Sequence, residues 1–347
     1  MFYSYQDYSL INSRIFFDKK LKLIKYILSI LTIFTIFNCS KSNDEYVLKI
    51  ASSAPIDEPG SRALLKFAEL VNERSHGRIK AKLFANGSLG NNRDVTEGLL
   101  IGSIEMQMAS SSPLAVFVPS LNIFEMPFLF KNNKHMFAVL DSHIGDRFKS
   151  DFKKSGLHLL GYFTFGVRHI MTRDSPVYSI SDLNGLKIRT MESKPHLDAF
   201  KAFGANPLPM AYSDLYTGLE TGVIDGAEAA NSNYYSKKFF EVAPYWAQVG
   251  WLRLVAPVIM SKVFYDKLPE DLKKVINKTL SELVNYERDL YTQISLERLE
   301  QLEKFDVTIT FPNPKPFQEA SKNVYKQWAD KIGGWELINE IQAFDEY

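Results

Sequence analysis

Apolar and polar positions follow two different rhythms along residues 46 to 303, and the switches between them predict alternating strands and helices. Tyr46 to Ser52 (YVLKIAS) reads as a first strand. After Pro59-Gly60-Ser61, the run Ala63 to Arg74 places Leu64, Leu65, Phe67, Ala68 and Val71 on one helical face, and Gly77 stops it. Ile79 to Ala85 (IKAKLFA) sets apolar against basic residues with period two, the mark of a half-buried strand. The turn Asn86-Gly87 leads to a helix over Arg93 to Ile101 and a strand around Glu105 to Ala109. This βαβαβ succession implies a parallel or mixed sheet with helices on its faces.

The rhythm then restarts. Strands are predicted over His158 to Phe165, Arg168 to Thr172, Leu186 to Arg189, Asn206 to Met210 and Val223 to Ala227, with helices near Pro195 to Phe203, Ser213 to Thr221 and Ser232 to Phe240. That is a second α/β lobe, and no low-complexity linker precedes it, so crossing strands rather than a flexible tether join the two. Pro269-Glu270-Asp271 then opens a long helix, whose apolar stripe Leu272, Val275, Ile276, Leu280, Leu283, Val284, Leu290, Ile294 and Leu302 runs to about Glu303. Such a helix is ~50 Å long, more than either lobe. It must brace both, which suits a cleft that opens and closes by a hinge.

Upstream the pattern is different. Arg14, Lys19, Lys20, Lys22 and Lys25 face only Asp18, and Tyr26 to Phe37 carries no charge. A basic stretch followed by a short apolar one is an export signal. A helix over that apolar stretch spans only ~18 Å, too short for comfortable passage through ~30 Å of hydrocarbon. The run ends in Asn38-Cys39-Ser40-Lys41, and Cys39 is the one cysteine of the chain, so a monomer has neither a disulfide framework nor a cysteine metal cluster. A cysteine in this place resembles the lipobox of bacterial lipoproteins, where the thiol is acylated and becomes the mature N-terminus. Ile36 fits that pattern, whereas Phe37 and Asn38 depart from its small residues. The other reading is an ordinary cleaved signal with an incidental cysteine.

With 46% hydrophobic and 23% charged residues in 347, the chain is not disordered and has material for about two ordinary domains. Lys plus Arg is 41 against 40 Asp plus Glu, without the basic excess of a nucleic-acid binder. Residues 1 to 38 hold five of those basic and two of those acidic residues, which leaves 36 against 38, a balance of −2. A near-neutral domain outside the cytoplasm has three candidate tasks: capturing small solutes, hydrolysing polymers, or adhering to surfaces. There is no G-x-S-x-G elbow and no H-E-x-x-H, and the six histidines lack zinc-ligand spacing. No cofactor is expected. Two carboxylates meeting in a cleft as a glycosidase pair stay open at this level.

Three ordered segments carry a family resemblance: Ser181-Asp182-Leu183-Asn184-Gly185-Leu186-Lys187-Ile188-Arg189, Phe203-Gly204-Ala205-Asn206-Pro207-Leu208-Pro209-Met210, and Leu215 through Glu228 (LYTGLETGVIDGAE). Together with Gly87-Ser88-Leu89-Gly90, Met126-Pro127-Phe128-Leu129-Phe130 and Lys267-Leu268-Pro269-Glu270-Asp271-Leu272, they resemble the solute-binding proteins of tripartite ATP-independent periplasmic (TRAP) transporters, the DctP family. The similarity runs from about Leu48 to the C-terminal helices.

The resemblance implies an α/β, two-lobed fold of the periplasmic-binding-protein kind, class II type, with mixed sheets, a hinge and the long helix across both lobes. The expected division is a signal peptide over 1–38, a tether over 39–47, lobe 1 over 48–165 plus about 255–294, and lobe 2 over 166–254 plus about 295–347. It also implies a small organic-acid ligand, membrane permease subunits as partners, no nucleic acid, and envelope localisation with lipid anchoring through Cys39. Arg189 matches the family's carboxylate-binding arginine, a role suited to a guanidinium, whose two parallel N–H donors fit two carboxylate oxygens. Arg168 matches a second arginine and pairs either with the ligand or with a protein carboxylate such as Glu228. Tyr212 aligns with an aromatic position that packs on ligands. Ala229 stands where the family often has asparagine, so Asn231 or Asn233 supplies that hydrogen bond or else caps the next helix. Asn92 and Ser110 stand where sialic-acid binders carry acidic residues, which argues against sialic acid and leaves a sugar acid or a C4-dicarboxylate.

Overall fold

The structure, a computed structural model, describes residues 45–345. The expected signal segment and Cys39 lie outside the described residues. β1 (Tyr46–Ser52), α1 (Pro59–Arg74), β2 (Ile79–Phe84), α2 (Asn92–Ile101) and β3 (Met106–Met108) follow the sequence pattern closely. Proline at the start of α1, where no amide partner is needed, moves its first turn forward to Pro59. The helix buries Leu64, Phe67, Ala68 and Val71, but Leu65 is 41% exposed, one residue off the buried stripe. An Asn91–Asp94 capping box opens α2, and Gly102 closes it in a left-handed conformation (φ 77°).

A segment without a clear period follows: α3 (Ser111–Leu114), a 3-10 stretch over Pro119–Glu125, α4 (Asn133–Asp141) and α5 (His143–Lys154). The two strands predicted on either side of Gly166 are one, β4 (Leu157–Thr172), bent by a register shift between Thr164 and Val167. Gly166 sits in that bulge with φ 76°, and a Cβ there would lie 2.4 Å from the Tyr291 ring, so glycine alone fits. Next come β5 (Lys187–Thr190), α6 (Lys194–Ala202), β6 (Asn206–Pro209), α7 (Leu215–Glu220), β7 (Gly226–Ala229) and α8 (Asn231–Ser236). The α8 helix stops short of the predicted Phe240 because Lys238 takes a left-handed conformation, φ 54°. The chain ends with β8 (Tyr245–Ser261), α9 (Lys262–Lys267), α10 (Glu270–Leu302), β9 (Thr308–Thr310), α11 (Pro314–Trp328) and α12 (Gly334–Ala343).

The strands form one mixed sheet in the order β2-β1-β3-β8-β4-β7-β5-β6, with β9 beside β8. β4 and β8 pair antiparallel from Leu157↔Ser261 to Thr172↔Tyr245 and so pass through both lobes. At one end they carry the parallel strands β1, β2 and β3, and at the other the parallel strands β7, β5 and β6. These are the crossing strands predicted from the absence of a linker.

The α10 helix braces the back. Leu272, Ile276, Leu280 and Leu283 pack into a core with Leu48, Ile50, Phe67 and Val258. Beyond Val284 the buried face turns polar: Glu287, Arg288 and Tyr291 are enclosed, and only Leu290 interrupts the gap in the apolar stripe. Arg288 donates to both Asp141 oxygens (2.6 and 2.9 Å) and to the Tyr162 carbonyl (3.0 Å), while the Tyr291 and Ser232 hydroxyls meet at 2.6 Å. The helix thereby holds α4 and β4 at one point and α8 at the next. Among the described residues, no helix is long and apolar enough to cross a membrane.

Candidate functional site

Parallel strands leave open space beyond their carboxyl ends, where adjoining loops diverge. Arg189 stands near that end of β5, in register with Leu208 of β6 and Ala227 of β7. β4 runs antiparallel to β7 with Ile170 opposite Glu228. Arg168, two residues earlier on β4, shares the face of Ile170 and so lies diagonally across from Glu228.

The three side chains form a buried cluster, with Arg168 3%, Arg189 2% and Glu228 0% exposed. Arg168 donates from Nε to Glu228 Oε2 (2.6 Å) and from Nη2 to the Glu228 carbonyl (3.2 Å). Arg189 donates from Nε and Nη2 to the Met210 carbonyl (2.9 and 2.7 Å) and from Nη1 to Glu228 Oε1 (3.4 Å). Burial opposes the charge on both guanidiniums. Attraction to Glu228 outweighs it at Arg168, which is held above the ordinary arginine range, but not at Arg189, which falls below it. Two cations against one anion leave a formal surplus of one positive charge. Burial, with Arg168 and Arg253 nearby, also lowers His169 to about 3, so its ring is neutral and Nδ1 accepts the Gly250 N–H (3.1 Å).

Both arginines line a cavity of about 370 Å³, together with Tyr212, Asn92 and Ser110. Tyr212 is half-buried, with its ring edge-on to Phe239 (6.1 Å). Its hydroxyl lies beside Asn233, enclosed and without a hydrogen-bond partner of good geometry. Asn92 accepts through Oδ1 from Gln107 Nε2 (3.3 Å), and Ser110 donates to Met191 Sδ (3.4 Å).

Two of the residues singled out from the sequence stand outside this lining. Glu228 lies behind the arginines. Asn231 turns the other way: its Oδ1 accepts from Trp246 Nε1 (3.0 Å) and Gln248 Nε2 (2.9 Å), and Nδ2 donates to Ser295 (3.4 Å). Asn233 does line the cavity, and it also caps α8 by accepting the Ala230 N–H (2.8 Å).

The structure adds cavity residues that sequence reasoning missed, chiefly Glu58, Asn86 and Lys237. Glu58 directly precedes α1, and its Oε1 accepts the Ser236 hydroxyl at 2.5 Å, joining the first lobe to α8 of the second. Burial pushes its carboxyl above the usual range. Lys237 donates to Asn86 Oδ1 at 2.6 Å, and burial pushes its ammonium down. Among the described residues, no group of three His, Cys, Asp or Glu side chains is placed to hold a metal ion.

Two α/β lobes on crossing strands, a bracing helix and a cavity lined from both sides, with two arginines in its wall, define a two-lobed receptor of the periplasmic-binding-protein kind. Residues 50–331 match the model of the bacterial extracellular solute-binding proteins, family 7 (DctP), and the chain belongs to that family. It is 35% identical over 262 residues to the 2,3-diketo-L-gulonate-binding periplasmic protein YiaO of Escherichia coli, covering 75% of this chain and 80% of that one. Among solved structures it is similar to the sugar acid binding protein DctPAm of Advenella mimigardefordensis in complex with galactonate (TM-score 0.83, 29% identity, 86% of this chain and 97% of the other). It is equally similar to a TRAP periplasmic solute-binding protein from Sulfurospirillum deleyianum with bound succinate (TM-score 0.83, 30% identity, 87% and 99%). The family is extracytoplasmic, and its members are carriers rather than enzymes.

Proposed function

We propose that this chain is the extracytoplasmic receptor of a TRAP transporter, capturing an organic acid through arginine–carboxylate pairing and delivering it to membrane permease subunits. The observation that carries this reading is the buried Arg168–Glu228–Arg189 cluster with its surplus positive charge at the cavity wall. An unmatched buried charge is unfavourable, and one ligand carboxylate would match it. Of the five N–H donors of Arg189, three are engaged by Met210 and Glu228, which leaves one on each terminal nitrogen for the two oxygens of a carboxylate.

Arg168, Tyr212, Asn92 and Ser110 complete the proposed contacts. Glu228 acts by orienting the arginines, and Asn231 by fixing Trp246 and Gln248. Lobe 1 over 48–165 plus about 255–294 and lobe 2 over 166–254 plus about 295–347 close on the ligand at the bulge of β4. Closure is a population shift driven by contacts made only in the closed state. Sugar acids and C4-dicarboxylates are the ligand classes, as in the relatives, and the Cys39 anchor holds the receptor at the membrane.

Mass spectrometry of the solute released on denaturing the purified protein tests the reading. An intact organic acid at one equivalent supports it, and a thermal-shift panel of uronates, aldonates, C4-dicarboxylates and neutral hexoses ranks the class. Ligand at a hundred times its dissociation constant adds ~2.7 kcal/mol of stability. Equal stabilisation by neutral hexoses and their uronates would defeat carboxylate anchoring, and release of a cleaved product would defeat the carrier role.

A further inference from the structure

We infer that the cavity selects a hydroxylated monocarboxylate, an aldonate or uronate, over a C4-dicarboxylate, and that Glu58 is the specificity-determining residue. This rests on the arginine-anchored reading above and deepens it. The charges that line or back the cavity fall into two groups. Arg168, Arg189 and Glu228 are mutually bonded and carry a net charge of +1, enough for one carboxylate. The remaining lining charges are Lys237 and Glu58, close enough to interact, and the exposed Glu192, whose charge acts on Arg189. A second carboxylate would find no further guanidinium in the lining and would meet Glu58.

Glu58 is 5% exposed and lines the cavity, and neither arginine bonds to it. Its geometry is set: the Ser236 hydroxyl donates to Oε1, and further lone pairs on the carboxylate remain to accept hydrogen bonds. A carboxylate accepts from a sugar hydroxyl and repels a second carboxylate, so one group both attracts and discriminates. Lys237 is close enough to feel the Glu58 charge but makes no ion pair with it, its ammonium donating to the neutral Asn86 Oδ1. The neutral donors and acceptors around it, Ser53, Asn86, Asn92 and Ser110, suit hydroxyls in the same way. The volume of about 370 Å³ also leaves room beyond the four carbons of succinate.

The experiment is calorimetric titration of wild type, Glu58→Gln and Arg189→Ala with galactonate, galacturonate and succinate as probes. Wild type is expected to bind one of the two sugar acids at least tenfold more tightly than succinate. Glu58→Gln is expected to lose tenfold or more for that sugar acid and to bring the ratio to succinate toward unity. Ser236→Ala keeps the charge but releases the carboxylate, and it is expected to weaken the sugar acid severalfold with succinate unchanged. It carries the test alone if Glu58→Gln does not fold. Wild type preferring succinate, or a sugar-acid-to-succinate ratio unchanged within twofold in the variants, overturns the selectivity while leaving the anchor intact. No binding of any acid by wild type, or full binding by Arg189→Ala, overturns the anchor and with it this inference.

Discussion

Glu228 is the single anion between two buried guanidiniums, and Glu228→Gln removes its charge while nearly keeping its shape. The Arg168 contact is 2.6 Å and the Arg189 contact 3.4 Å, with all three side chains almost wholly buried. A pair of unit charges at about 4 Å interacts by ~4 kcal/mol at an effective dielectric constant of about 20. Loss of one partner from a buried ion pair typically costs about 3–5 kcal/mol, because the other stays buried without compensation. With ~2.1 cal/mol/K of unfolding entropy per residue, a folded part of about 300 residues shifts by ~1.6 °C per kcal/mol, so the ligand-free variant should melt roughly 5–8 °C below wild type. A bound carboxylate restores a negative charge beside the arginines, so the gain in melting temperature from a saturating sugar acid should be larger in the variant. Circular dichroism melts with and without ligand read both quantities. A ligand-free variant within about 2 °C of wild type, or an equal ligand-induced shift in both proteins, would refute the electrostatic account of the cluster.

Arg189→Ala should cost about 2–5 kcal/mol of ligand affinity, tens- to thousands-fold by calorimetry, with the fold intact, and Arg189→Lys should bind poorly too because a point charge does not restore the two-pronged contact. Affinity within about threefold of wild type would remove Arg189 as the anchor. Glu287 on α10 is raised from 4.5 to about 8, mainly by burial, against the Thr164 N–H bond and the nearby Arg288 charge. The folded state therefore holds a proton that the unfolded chain releases, and stability falls as pH rises from 4.5 to 8 by ~3 kcal/mol at neutrality. Glu287→Gln should flatten that slope, matching wild type near the lower bound and exceeding it near the upper, so parallel melting curves across this window would count against it. Cys39→Ser should abolish incorporation of labelled fatty acid, and equal labelling of both forms would exclude the anchor.

The parts of the fold most legible in the sequence are those in which one face is dry and the other wet. β1, α1, β2 and α2 were readable because Leu48, Phe67 and Ile79 alternate with exposed neighbours at the correct period. β8 escaped because Leu254 to Ser261, paired on both sides and covered above and below, has no alternation to read. The arginine pair was recoverable from motif order. Glu58 was not, since its partner Ser236 is 178 residues away and nothing in the local spacing marks either. Asn231 is close to Glu228 in sequence, yet the start of α8 turns it toward Trp246, a change of direction that adjacency alone does not reveal.

The interleaving of the two lobes has a consequence for how the chain is born. β3 pairs with β1 on one side and with β8 on the other, Met106 opposite Met260, so the edge of the first three strands stays open until the chain has been made past Ser261. The core beneath it waits longer, because Leu272 to Leu283 of α10 are needed to cover it. An N-terminal fragment thus has no stable place to stop, and contacts this distant form slowly. Such an order of assembly keeps the nascent polypeptide unfolded through most of its synthesis, the condition in which a protein destined for the far side of a membrane can still be threaded through it.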